Sequence, residues 1–97
     1  MRVITRNPLK TFWAKHPNAF GPLDAWFRAA KKANWKSFDD LRIVFGKRVD
    51  RVGKFTVFDV GGNKYRLIVA IHYNRKRLYV RHVMTHAKYS LGNWKYE

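Results

Sequence analysis

Two turn signals, Gly61-Gly62-Asn63 and Asn74-Arg75-Lys76, cut the stretch from Phe55 to Met84 into three runs rich in β-branched and aromatic residues. That pattern predicts three consecutive antiparallel strands, Phe55–Val60, Tyr65–Tyr73 and Arg77–Met84, because glycine and asparagine tolerate the positive φ of tight hairpin turns. Upstream the period changes. Asn7-Pro8 reads as a helix start, with Asn7 as cap and a stripe of Leu9, Phe12 and Trp13 that stops at His16-Pro17. Leu23, Trp26, Phe27 and Ala30 give the i, i+3, i+4, i+7 spacing of a second helix, from about Gly21-Pro22 to about Trp35. Ser37 then caps a third, with Asp39 and Asp40 in its first turn, Leu41, Val44 and Phe45 on its buried side and Gly46 ending it. Val3-Ile4 reads as an edge strand, and Val49 and Val52 as part of a short one. Helices followed by a hairpin sheet define an α+β chain rather than an alternating one. A length of 97 residues fits one domain, 1–97.

Charge narrows the function. Twenty-one Lys and Arg against six Asp and Glu give +15, which calls for a polyanionic partner. Zero cysteines exclude disulfides, thiolate zinc sites and a cysteine nucleophile. No apolar run approaches the roughly 20 residues of a membrane span, and Met1 to Arg6 lack a signal-peptide core, so the expectation is a cytoplasmic protein. Between Val60 and Tyr96 there is no carboxylate, yet Lys64, Arg66, Arg75, Lys76, Arg77, Arg81, Lys88 and Lys95 all fall there. That segment cannot supply a carboxylate pair or a two-metal nuclease site. The spacing of His16, His72, His82 and His86 matches no zinc signature, so neither metal nor cofactor is expected. Metal-free chemistry on RNA remains, because the 2′-OH is a built-in nucleophile that needs a base, cations on the phosphorane and an acid at the 5′-oxygen. Thr85 can cap a helical turn that sets His86 and Tyr89 three residues apart on one face. Depending on register, the hairpin brings either Arg81 or His82 to the face of Arg66. Neighbouring cations are expected to lower the Tyr89 phenol by stabilising phenolate. The plainer reading of the same residues is a solvated basic strand face with Trp13, Trp26 and Trp35 as core, in a non-catalytic RNA-binding or ribosome-associated protein.

The run Phe55-Thr56-Val57-Phe58-Asp59-Val60-Gly61-Gly62-Asn63-Lys64-Tyr65-Arg66-Leu67-Ile68, with Val83-Met84-Thr85-His86-Ala87-Lys88-Tyr89 after it, resembles the HigB toxins of the RelE-like superfamily. The resemblance implies helices packed on one face of a small twisted antiparallel sheet, with the other face presented to RNA. It also implies an mRNA interferase that cuts messenger RNA on the ribosome. The implied partner is a helix-turn-helix antitoxin of the HigA kind, in a toxin–antitoxin heterotetramer. Carried onto this chain, Arg66 matches a strand arginine at the scissile phosphate and Tyr89 a tyrosine for acid–base work or base stacking. His86 stands where some relatives carry an arginine or lysine. Arg66, Arg81, His86 and Tyr89 form the expected catalytic set, with His86 or Tyr89 as base. Lys54, Lys64, Arg48, Arg51 and Lys88 form the expected RNA-contacting set.

Overall fold

The computed structural model describes residues 1–96, and among these one five-stranded sheet runs in the order β1-β5-β4-β3-β2. Its strands are β1 (Arg2–Ile4), β2 (Val49–Val52), β3 (Phe55–Val60), β4 (Tyr65–His72) and β5 (Arg77–Thr85). The helices are α1 (Asn7–Lys15), α2 (Phe20–Lys32), α3 (Phe38–Phe45) and the short α4 (His86–Ser90). The α+β class and β3 hold as read from the sequence, and the β3–β4 turn falls on Gly61-Gly62-Asn63. Gly61 has a φ of +65°, and a Cβ there would lie 2.8 Å from the Tyr65 ring, so this turn requires glycine.

Strand alternation divides the sheet. Phe58 and Val60 of β3, Tyr65, Leu67 and Val69 of β4, and Leu78 and Val80 of β5 face the helices. There they pack with Leu9, Leu23, Trp26, Ala30 and Leu41 into the main core. The opposite face carries a second, smaller apolar cluster of Phe55, Val57, Ile68 and Met84, capped by Trp94.

The structure departs from the sequence expectations at five places. The sheet is not wholly antiparallel: β1 pairs with β5 in parallel, because α1, α2 and α3 lie between that first strand and the hairpin strands. Asn7 does not cap α1. It lies in the first turn, after Arg6, and no side-chain cap bond forms. The second helix stops at Lys32, and Trp35 is buried from a loop, against Phe45 and Phe58. Val44 does not bury: with Ile43 it projects to solvent, because α3 is short and turns only Leu41 fully inward. The second face is not wholly open either, since the C-terminal segment folds over the end bearing Arg66.

Candidate functional site

The residues that converge on the second face start from the β3–β4 hairpin. A loop from Gly61 to Lys64 sets Val60 opposite Tyr65, and therefore Asp59 opposite Arg66. Asp59 Oδ1 lies 3.0 Å from Arg66 Nε. Nη1 donates to the carbonyls of Asn63 (3.1 Å) and Tyr65 (3.2 Å), and Nη2 donates to Asn63 Oδ1 at 2.6 Å. Asn63 reaches this position with a φ of +79°, in the left-handed region that asparagine tolerates. Four of the five N–H groups of Arg66 are thus engaged among the described residues, and the residue is only 6% exposed. The guanidinium is fixed in place, with one Nη2 proton left for a ligand.

Its carbon stands 5.6 Å from the centre of the Tyr89 ring. Thr85 Oγ1 accepts from Lys88 N and starts α4 as expected, and the His86 amide donates to the Lys64 carbonyl, tying α4 to the hairpin. The Trp94 ring stacks on Tyr89 at 5.1 Å and 18°, and its Nε1 donates to the Tyr89 carbonyl. Tyr89 is therefore in contact with both a cation and an indole. Its phenol is raised above the ordinary tyrosine value: burial is the main cause, Asp50 and Asp59 push the same way, and Arg66 opposes them. This reverses the expected direction. The acid-free stretch is acid-free only along the chain, because β2 and β3 carry Asp50 and Asp59 onto the same face, and a phenol so placed keeps its proton.

The register decides the rest. Arg66 pairs with Met84 and Ile68 with His82, whereas Val69 pairs with Val80, so Arg81 is the extra residue of a β-bulge. His82, not Arg81, is the β5 residue paired in register on the Arg66 face. Arg81 is exposed, over the Tyr79 ring at 5.9 Å, about 10 Å along the strand from Met84. His86 is exposed on α4, one helical turn before Tyr89.

The RNA-contacting candidates separate. Lys54 lies over the Phe55 ring and shares a hollow of about 510 Å³ with Arg81, His82 and His72. Lys88, with Lys15, Arg81 and His82, lines a groove of about 750 Å³ between α1 and the C-terminal segment. Lys64 sits exposed in the hairpin loop. Arg51 pairs with Thr56 and lies two residues from the core residue Val49, which places it on the helix side. Arg48 leans on the Phe45 ring and donates from Nε to its carbonyl, also on that side. These two do not join the Arg66–Tyr89 site. Conversely, Asp50, Asp59, Asn63 and Trp94 belong to it and escaped the sequence reading, although the Asp59–Arg66 pairing follows from the loop length. Among the described residues, no group of three or more His, Asp or Glu side chains comes together to hold a metal ion.

The family model described as HigB_toxin, RelE-like toxic component of a toxin-antitoxin system, matches residues 19–91. The chain is 32% identical over 92 residues to the mRNA interferase HigB of Escherichia coli O6:H1, covering 92% of this chain and 88% of that protein. It is likewise 32% identical over 91 residues to the mRNA interferase toxin HigB of Escherichia coli K12 and to the mRNA interferase HigB of Shigella flexneri, with the same coverage.

Proposed function

This chain belongs to the HigB family of RelE-like toxins, the toxic components of toxin–antitoxin systems, and on that premise we propose that it is an mRNA interferase. It acts in the cytoplasm on messenger RNA held by the ribosome, as a single toxin domain spanning 1–97. A helix-turn-helix antitoxin neutralises it within a heterotetramer.

The cut needs no metal. The 2′-oxygen attacks the adjacent phosphorus, a P–O2′ bond forms and the P–O5′ bond breaks, leaving a 2′,3′-cyclic phosphate and a 5′-hydroxyl. His86, exposed one turn before Tyr89, takes the 2′-OH proton. Tyr89, which burial keeps protonated, gives its proton to the departing 5′-oxygen and is the acid rather than the base. The remaining Nη2 proton of Arg66 meets the non-bridging oxygens, and its fixed position means that little reorganisation is needed as charge develops there. Arg81, Lys54, Lys64 and Lys88 hold the flanking phosphates.

The observation that carries this mechanism is a buried arginine locked by Asp59 and Asn63, its guanidinium carbon 5.6 Å from the centre of the Tyr89 ring. The test is cleavage of ribosome-bound mRNA by purified Arg66→Ala, Tyr89→Phe and His86→Ala proteins, with the product ends identified. Each is expected to lose cleavage by roughly 100-fold or more while still binding ribosomes. Wild-type rates in all three would remove the site, and RNA binding without cleavage by the wild type would return the protein to the class of plain RNA binders.

A further inference from the structure

Thr5 is a β-branched residue with a φ of +60°, a conformation that such side chains rarely adopt. It lies where the chain leaves β1 for α1, so β1 ends at Ile4, opposite Tyr79 of β5. Past Tyr79, β5 runs on to Thr85 with no strand on that edge among the described residues. The His86 amide donates to the Lys64 carbonyl, and Thr85 pairs with Tyr65, so His82, Met84 and His86 turn their peptide groups toward β4. Val83 turns its N–H and C=O the other way, to the open edge. The carbonyl of Thr85 is taken up by the first turn of α4. The opening therefore offers one complete donor–acceptor pair rather than a ladder.

That edge lines the groove of about 750 Å³ between α1 and the C-terminal segment. The half-buried rings of Phe12 and His16, stacked on each other at 4.3 Å and 20°, line it from α1. Lys15, Arg81 and Lys88 stand exposed around it, and no carboxylate lines it among the described residues. Thr11 and Asn93 add exposed, uncharged hydrogen-bonding groups from α1 and from the C-terminal segment. Aromatic rings, one peptide donor–acceptor pair and surrounding cations suit a nucleobase still joined to its phosphates, since every base edge carries an adjacent donor and acceptor. A protein strand would need a run of such pairs, which one residue does not supply. The groove is also continuous with the candidate cleavage site. Trp94, which stacks on Tyr89, and Thr85, which starts α4, both line it. We propose that it holds one unpaired base of the messenger, at a fixed number of nucleotides from the cut. Val83 anchors any base there, and Thr11 and Asn93 discriminate between bases. The proposal rests on the interferase reading and adds base selection to it.

The test has two arms, both on the full-length protein. In the first, 2′-O-methyl RNA hexamers, which have no 2′-OH to attack with, carry 4-thiouracil at each position in turn and are irradiated with the protein. Crosslinks are expected in the segments around Phe12 and Val83. Thr11→Trp, which fills the groove from an exposed helical position, should cut their yield about tenfold or more. In the second arm, ribosome-bound messages randomised around the cut are cleaved and their ends sequenced. Thr11→Ala and Asn93→Ala should change the base preference at one nucleotide position by about fivefold or more and leave the other positions unmoved. These two variants serve should Thr11→Trp fail to fold. An unchanged preference in both alanine variants overturns the proposal. The absence of groove crosslinks also overturns it and leaves the open edge to a protein strand. So does weaker binding of Thr11→Trp to ribosomes that carry no messenger, which would assign the groove to ribosomal RNA. Should the wild type leave messages uncut yet crosslink at the groove, the interferase reading falls and the base site stands.

Discussion

Leu67 and Ile68 are neighbours on β4, both fully buried, on opposite faces of the sheet. Leu67 is one of many large side chains that α1, α2 and α3 press onto the helix side, whereas Ile68 belongs to a patch closed by one tryptophan. The first face stores stability. The second uses a little apolar burial to fix Tyr89 and Trp94 beside a charged group, so its packing serves position. Two alanine substitutions probe this. Leu67→Ala should cost roughly 2–5 kcal/mol in urea denaturation. Ile68→Ala should cost a similar amount if the C-terminal segment closes that face, and well under about 1 kcal/mol if the face is solvated. A small loss for Ile68→Ala would break the comparison.

A second pair contrasts arginines. Arg66 is buried, with a carboxylate and three oxygens around it, while Arg81 stands in solvent on a bulge. Lysine keeps the charge but cannot reproduce a planar fork that meets Asp59, Asn63 and Tyr65 together. Arg66→Lys should therefore reduce cleavage on the order of 100-fold, close to the loss in Arg66→Ala. A lysine variant with near wild-type rates would show that Arg66 supplies charge without placement.

These contrasts also separate what the sequence displayed from what it hid. Local chemistry was legible. Turn glycines, β-branched runs and the Thr85 cap gave β3, both hairpin turns and the start of α4, because each depends on residues within a few positions. Arg66 and Tyr89 stood out through family resemblance, and they do meet. Three-dimensional bookkeeping was not legible. Counting acids along the chain suggested a purely cationic site, but burial raises the Tyr89 phenol, and antiparallel pairing folds Asp50 and Asp59 back onto the site to push the same way. The bulge at Arg81 shifts the β5 register by one, a feature with no fixed sequence signature. Arg48 and Arg51 looked like groove residues because they are basic, but strand parity and the Phe45 contact place them on the other side.

That last difference yields a smaller effect. If only the second face meets RNA, Arg81→Ala should reduce the slope of log affinity against log salt by about one, with a several-fold loss of binding at moderate salt. Arg51→Ala should leave the slope unchanged. Equal slopes for the two variants would mean that RNA wraps both faces.

The finest test concerns the proton on Tyr89. Its phenol is raised mainly by burial, with Asp50 and Asp59 adding to the effect. In the unfolded chain a tyrosine ionises near a pH of about 10, so above that value the unfolded state holds fewer protons than the folded one. Stability must then fall as pH rises, until the folded pKa is passed. Tyr73, raised chiefly by burial as well, contributes in the same sense. Tyr89→Phe should therefore flatten part of the alkaline decline in urea midpoint, and Tyr73→Phe a further part. Only the first should also remove the alkaline limb of the cleavage rate, because in the proposed mechanism only Tyr89 donates to the leaving oxygen. Were Tyr89 instead the base, cleavage would rise as the phenol ionises, so the sign of that limb assigns the proton independently of how far either variant falls in rate.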